Sequence, residues 1–179
     1  QLIIPGNRDG ERLTRQWGYQ GKVDVMPQIG VDTELFPPRV RQLSSAPFNV
    51  GFMGRLVPQK GVDTLLLAAK MLRDRNQNLR ITICGSGSDS KNLHKIATEQ
   101  GLDEIVEWKT NVAHSQVPEA MNAFDALVLP SRTIDTWKEQ FGHVLIESMS
   151  MGIPTIGSDS GEIPNVIGNA ELVFPENDA

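Results

Sequence analysis

The stretch "FNVGFMGRLVPQKGVDTLLLAAKMLRD", residues 48–74, decides the fold. Its first six residues are mostly apolar and lie between a proline and a glycine, which predicts a short buried strand over residues 48–53. From Val62 onward the apolar residues recur at helical spacing, which predicts an amphipathic helix. Only the loop "GRLVPQKG", residues 54–61, separates the two elements. A strand that leads directly into a helix is the repeating unit of proteins with a parallel sheet.

The same alternation continues through the rest of the chain. Further short apolar runs predict strands at "LRITIC" (79–84), "EIVEW" (104–108), "DALVLP" (125–130), "PTIG" (154–157) and "ELVF" (171–174). Helical patterns lie between these runs at residues 89–101, 115–124 and 141–152. We therefore predict an α/β fold with a Rossmann-like, doubly wound parallel sheet that helices cover on both faces. Such sheets bind ligands at the carboxyl ends of their strands, so the loops that follow the strands should carry the function.

Residues 1–47 have a different organisation. "LIIP", "DGERLTRQWGY" and "KVDVMPQIGV" predict one more strand-helix-strand unit, and the Pro-rich stretch "DTELFPPRVRQLSSAP" that follows reads as a linker between domains. We predict that residues 1–47 are the remnant of an N-terminal domain plus this linker, and that residues 48–179 form the Rossmann-like domain. The first residue is Gln rather than Met, which suggests that the chain was excised from a longer protein.

Composition excludes several classes of protein. With 39% hydrophobic and 22% charged residues, the chain is neither disordered nor fibrous. A net charge of -5 gives no general attraction to nucleic acid, so we expect no nucleic-acid partner. No signal peptide or long apolar run is present, and Cys84 has no second cysteine, which together favour a cytoplasmic location. His94, His114 and His143 lie in different predicted elements without metal-ligand spacing, so no metal site is predicted.

Two loops after strands carry candidate phosphate ligands. In "GRLVPQKG", Arg55 and Lys60 bracket a proline between two glycines, but Lys60 precedes Gly61, which excludes a Walker A loop. The alternative is that both are solvated surface cations. In "GSGSDS" (85–90), Gly85 and Gly87 allow a close backbone approach, but Ser90 replaces the third glycine of a dinucleotide fingerprint.

The stretch "TWKEQFGHVLIESMSMG", residues 136–152, is more specific. Glu139 precedes a helix predicted to begin near Phe141, and Glu147 lies roughly 9 Å along it, at about 1.5 Å per residue. Free amides at the helix start, with room at Gly142, would bind a phosphate group, and the two carboxylates would suit hydroxyls on either side of it. The alternative is that Glu139 only favours the helix dipole and that Glu147 is an ordinary exposed residue.

Taken in order, "GRLVPQKG", "CGSGSD", "LVLPS" and "KEQFGHVLIESMSMGIPTIGSDSGEIP" resemble the C-terminal donor-binding domain of retaining glycosyltransferases with the GT-B fold, family 4. The Glu139–Glu147 spacing matches the E-x7-E motif of that family, and "KVDVMPQIGVDTELFPP" is similar to the stretch that joins its two domains. The resemblance implies that the chain is the C-terminal half of a GT-B fold, a nucleotide-sugar binding domain truncated at its C-terminus. It departs from the pattern at Gln28 and at "SGEIPN", which carries Glu162 and Asn165 where the family commonly has Gly-Gly followed by Pro-Glu.

The resemblance also implies a role for each matching residue. Arg55 and Lys60 would bind the donor diphosphate and offset charge on the leaving group, while Glu139 would hold the sugar hydroxyls; these three form the implied catalytic set. Glu147 would bind the ribose. The remaining implied contacts are the backbone of Phe141, Gly142, His143 and Val144 for the diphosphate, and Gly85, Gly87, Asn111 and Val112 for the base. The family is metal-independent, so no cofactor is expected and the nucleotide sugar is a substrate.

The implied function is transfer of a hexose from a nucleotide diphosphate sugar to a polysaccharide or glycoconjugate. A UDP-glucose-like donor is favoured over a GDP-mannose-like donor. A glycan or lipid-linked acceptor, and any peripheral membrane contact, would be supplied by the missing N-terminal domain, so this part alone is expected to be inactive. Two alternatives are a non-catalytic nucleotide-binding or interaction module and a nucleotide-sugar epimerase of the same fold.

Overall fold

The computed structural model describes residues 2–27, 29–38, 47–110 and 112–179. Gln28, Asn111 and half of the predicted linker, residues 39–46, lie outside these residues. The strands are β1 (Leu2–Ile3), β2 (Lys22–Val23), β3 (Phe48–Met53), β4 (Leu79–Cys84), β5 (Val106–Lys109), β6 (Ala126–Leu129), β7 (Thr155–Ser158) and β8 (Val173–Phe174). The helices are α1 (Arg8–Gln16), α2 (Val62–Asp74), α3 (Ser90–Glu99), α4 (Val117–Met121), α5 (His143–Ser150) and α6 (Ile163–Ile167).

Six strands form one parallel sheet in the order β5-β4-β3-β6-β7-β8. The chain runs outward from β3 to β5 and then returns to place β6 on the other side of β3. This reversal is the topological switch point, and folds of this type bind ligands there, at the carboxyl ends of the strands. The predicted doubly wound parallel sheet is therefore confirmed.

The observed elements agree closely with those predicted from the sequence, and every predicted strand of the main sheet is present. The exception is α6, a helix that was not predicted from the sequence. This helix has only five residues, with a proline in its first turn and Gly168 in the left-handed conformation at its end. So short a helix offers little periodicity to detect.

Side chains from both faces of the sheet form the core. Phe52, Ile83 and Leu127 on the strands, and Leu66 and Leu145 on the helices, are all fully buried. Burying each such side chain stabilises the fold by about 1.5–3 kcal/mol. The strands are therefore held rigidly, and the loops at their carboxyl ends are positioned by this core.

The N-terminal unit is a separate small layer. β1 pairs with β2 in parallel, with α1 between them, as predicted. α1 begins because the Asn7 side chain accepts a hydrogen bond from the Gly10 amide at 2.8 Å. Further along, Phe36 is only 2% exposed and packs in the core cluster of the main sheet.

In the part of the chain that the structure describes, no helix is long and apolar enough to cross a membrane.

Candidate functional site

The candidate site lies at the switch point, between the loop after β3 (54–61) and the loop after β6 (130–142). The two loops touch through their backbones. Gly61 has φ +65°, and a Cβ at this position would lie 1.9 Å from the carbonyl oxygen of Pro130. Only glycine fits this contact, so the approach of the two loops is fixed by the backbone.

A buried ion pair joins the two loops. Lys60 Nζ lies 2.5 Å from Glu139 Oε2, and the two side chains are only 14% and 9% exposed. Ser131 Oγ donates a hydrogen bond of 3.0 Å to the same carboxylate oxygen. The Trp137 ring centroid lies 5.2 Å from Lys60 Nζ, within cation–π distance. The alternative that Lys60 is a solvated surface cation is therefore wrong.

This arrangement sets what the cluster can do chemically. An ammonium group can donate three hydrogen bonds and a carboxylate can accept about four, so Lys60 and Glu139 keep unused capacity while paired. Lys60 could bind a phosphate group and Glu139 could accept hydrogen bonds from hydroxyls. A ligand with both groups would replace the pair without leaving either charge buried alone.

The backbone of Glu139 is held by the loop after β7. Gly161 has φ +56°, and a Cβ there would lie 2.0 Å from the Glu139 carbonyl oxygen. The Glu162 amide donates a hydrogen bond of 3.0 Å to that same oxygen. The Glu162 carboxylate accepts hydrogen bonds of 2.9 Å from the Arg8 amide and of 2.9 Å from Asn165 Nδ2. Glu162 thus links this loop to the start of α1.

The start of α1 also contacts the segment around Glu139. Lys138 Nζ lies 2.6 Å from Asp9 Oδ1, and Asn7 Nδ2 donates a hydrogen bond of 2.9 Å to Gln140 Oε1. The hydrogen bond from Lys138, with a further contribution from Arg12, holds the pKa of the Asp9 carboxyl below its usual range. A polar cavity of about 220 Å³ lies at this junction. The N-terminal unit therefore helps to place the segment that carries Glu139.

A second part of the site is open. A cavity of about 310 Å³ brings together three residues singled out from the sequence, Arg55, Gly85 and Val112. The Arg55 side chain is exposed, and among the described residues it has no ion-pair partner. Cys84 also lines this cavity, where burial raises the pKa of its thiol to about 11. The thiol is therefore un-ionised at neutral pH and is no candidate nucleophile.

The two glycines of the loop after β4 have a structural role. A Cβ on Gly85 would lie 1.9 Å from the carbonyl oxygen of Gly54, and one on Gly87 would lie 2.1 Å from that of Leu56. The glycines let this loop pack directly on the loop that carries Arg55. Gly87 does not line the 310 Å³ cavity. Asn111 lies outside the described residues.

α5 begins at His143, two residues later than Phe141, because Gly142 is in the left-handed conformation with φ +79°. Among the described residues, the amides of His143 and Val144 have no hydrogen-bond acceptor. These amides and the positive end of the helix dipole suit an anion. The predicted anion-binding turn is thus available, although the helix starts later.

Glu147 lies on the second turn of α5. It is half-buried and does not line the 310 Å³ cavity. Burial raises the pKa of its carboxyl above the usual range, and the nearby His114 and His143 offset part of this effect. The alternative that Glu147 is an ordinary exposed helix residue is therefore wrong.

Several residues of this site were not singled out from the sequence. Asn7, Asp9 and Lys138 make their contacts between segments about 130 positions apart. Arg132 lies in the loop after β6 and binds the first turn of α2. Ser131, which binds Glu139, was quoted only as part of the motif "LVLPS". Only the position of Ser131 and Arg132 directly after a strand could have indicated them.

Residues 38–179 match the protein family described as Glycosyl transferases group 1. The chain is 30% identical, over 166 residues, to the GDP-mannose-dependent alpha-(1-6)-phosphatidylinositol monomannoside mannosyltransferase of Mycobacterium tuberculosis. This match covers 87% of the chain and 43% of the relative. The chain therefore spans less than half of the length of the curated relative.

Two solved structures have a similar fold. Sucrose-phosphate synthase of Thermosynechococcus elongatus matches with a TM-score of 0.80 and 24% identity, over 99% of this chain and 46% of that one. Anabaena HepE, solved in complex with UDP and glucose, matches with a TM-score of 0.76 and 22% identity, over 99% of this chain and 50% of that one. At these identities the likeness establishes the fold, the Rossmann-like sheet of a GT-B glycosyltransferase.

Proposed function

The chain belongs to the family of glycosyl transferases group 1, and from this membership we propose that it is the donor-binding part of a retaining GT-B glycosyltransferase of family 4. The donor is a hexose linked to a nucleoside diphosphate. The acceptor is a glycan or a lipid-linked glycoconjugate, bound by the rest of the enzyme together with any contact to a membrane surface.

The observation that carries the proposal is the buried Lys60–Glu139 pair at the switch point. A pair of this kind is costly to bury, and a hydrophobic pair would stabilise the fold as well. It lies in the crevice where sheets of this type bind nucleotides, and the loop that carries Lys60 also carries Arg55, which lines the 310 Å³ cavity. Two cations and a carboxylate in this crevice match a ligand with a diphosphate and a sugar.

The proposed transfer breaks the bond between the anomeric carbon of the hexose and the diphosphate oxygen. A new bond forms from that carbon to an acceptor hydroxyl oxygen, whose proton passes to the departing phosphate, so no residue of the chain is assigned as a nucleophile. Arg55 and Lys60, with the first amides of α5, offset the charge on the leaving diphosphate without a metal ion. Glu139 orients the sugar through its hydroxyls, and Glu147 binds the ribose.

Calorimetric titration of the chain with UDP, GDP, UDP-glucose and GDP-mannose, each in EDTA and in Mg²⁺, tests the proposal. GDP-mannose is included because the mycobacterial relative is named as dependent on it. We expect one nucleotide to bind equally well in EDTA. Glu147→Gln should weaken binding of that nucleotide and of its nucleotide sugar by roughly tenfold or more, since a charge-assisted hydrogen bond contributes about 1.5–3 kcal/mol.

Glu139→Gln should act differently. Bare nucleotide should bind unchanged or more tightly, because Lys60 loses its competing partner, whereas the added affinity for the intact sugar donor should disappear. Glu119→Gln, at an exposed position on α4, is the matched control. A strict requirement for Mg²⁺, or equal loss of bare nucleotide binding in both acid variants, would reject this assignment. Nucleotide binding with no discrimination of the sugar would favour a non-catalytic binding module.

A further inference from the structure

We propose that Arg132 is a positioning residue that holds Lys60 in place for the diphosphate. The proposal rests on the proposed function of Lys60. Among the described residues, Arg132 has no hydrogen bond to the Lys60 side chain, but it binds the chain on both sides of it.

The guanidinium group of Arg132 is bound to the first turn of α2. Its Nη2 atom lies 2.6 Å from Asp63 Oδ1 and donates a hydrogen bond of 3.0 Å to Thr64 Oγ1. Asp63 and Thr64 follow Lys60 by three and four positions. One end of the segment that carries Lys60 is thereby attached to the loop after β6.

The backbone of Arg132 holds the other end. Its amide donates a hydrogen bond of 2.9 Å to the carbonyl oxygen of Gln59, the residue before Lys60. Between the two attachments, Gly61 packs on the Pro130 carbonyl with no room for a Cβ. Lys60 thus lies in a short segment, residues 59–64, that Arg132 holds at both ends.

The chemistry of the contact favours a positioning role over a purely stabilising one. Arg132 Nε is buried and has no hydrogen-bond partner among the described residues, which is unfavourable for folding. The planar guanidinium reaches a carboxylate and a hydroxyl together, which a lysine in its place could not do with the same geometry.

A double-mutant cycle between Arg132 and Lys60 tests the proposal, with dissociation constants for UDP and GDP measured by calorimetry on the full chain. We expect Arg132→Gln to weaken the tighter of the two nucleotides by about tenfold, the effect of losing one charge-assisted contact. In the Lys60→Ala background the same substitution should have no further effect, because there is no lysine left to position. Arg132→Lys should restore only part of the affinity.

Controls separate positioning from stability. Arg75→Gln, at an exposed arginine after α2, should leave the affinity unchanged. If Arg132→Gln does not fold, Asp63→Asn breaks the same ion pair from the other side and should weaken binding by threefold to tenfold. An equal loss for Arg132→Gln with and without Lys60 would overturn the inference, as would no loss at all. If Lys60→Ala itself changes neither nucleotide, the proposed function fails and the inference falls with it.

Discussion

The two parts of the candidate site are built in opposite ways. At the Lys60–Glu139 end, the charges are paired and almost fully buried, and two glycines allow the supporting loops to touch. At the Arg55 end, the cation is exposed and faces a cavity of about 310 Å³. Both ends lie at the carboxyl edge of one sheet, so the difference comes from the loops and not from the strands.

Because Arg55 is exposed and Lys60 is buried in an ion pair, the two cations would meet a ligand in different ways. A ligand that meets Arg55 gains a new contact without displacing another. A ligand that meets Lys60 meets a cation that is already paired, so it gains most when it supplies a phosphate to Lys60 and hydroxyl groups to Glu139. If the proposed function holds, we expect both ends to contribute affinity for a nucleoside diphosphate and the paired end to add the preference for the intact sugar donor.

The largest loss of stability is expected at the contact between the loop after β3 and the loop after β6. Gly61→Ala should lower the free energy of unfolding by at least about 3 kcal/mol, because the new methyl group would overlap the Pro130 carbonyl. Gly152→Ala is the matched control: Gly152 has φ +72° with nothing within 4 Å, so only the cost of a left-handed backbone, about 1–2 kcal/mol, should remain. Urea denaturation measures both, and equal losses would mean that the loop contact is not tight.

The next largest effects are expected at Arg55 and Lys60, whose substitutions should differ in their effect on stability. Arg55→Gln should weaken nucleotide binding by about 1.5–3 kcal/mol while changing the free energy of unfolding by less than about 0.5 kcal/mol. Lys60→Ala should lower both the nucleotide affinity and the free energy of unfolding. The fold is destabilised because the Glu139 carboxylate is left buried without its cation. Calorimetry and urea denaturation on the same preparations give the comparison. The roles of the two cations would be misassigned if Arg55→Gln destabilised the fold as much as Lys60→Ala.

The smallest effect is expected at Glu147. Burial raises the pKa of this carboxyl in the folded chain, so its ionised form opposes folding once the pH exceeds the ordinary glutamate value. Glu147→Gln should therefore stabilise the fold near pH 7 by up to about 0.5 kcal/mol, which is the usual limit for the effect of a surface substitution on stability. The gain should shrink to nothing as the pH falls below that ordinary value. Thermal unfolding from pH 4 to 8 tests this, and a gain that grows toward low pH would contradict the direction of the shift.

Most of the fold could be predicted from the sequence because its signals are local. Alternating apolar runs and helical periods are set within ten to fifteen residues, and they located each strand of the main sheet. α6 was missed because five residues show too little of a period. For the candidate site, Arg55 and Lys60 were singled out because they lie in the loop directly after a predicted strand. Glu139 and Glu147 were singled out by their spacing on either side of a predicted helix start. The pairing of Lys60 with Glu139 was not predicted, because it depends on which loops meet.

The sequence by itself determined the parallel α/β architecture and the loops that carry charge at its carboxyl edge. Only the tertiary structure decided that Lys60 is buried on Glu139 while Arg55 stays exposed, although both belong to the same eight-residue loop. It also decided that Arg132 fixes that loop and that α1 holds the segment of Glu139. The physical reason is that ion pairs and backbone contacts depend on distance in space. The strand order β5-β4-β3-β6 brings residues 60 and 139 together, and this order cannot be read from a local sequence pattern.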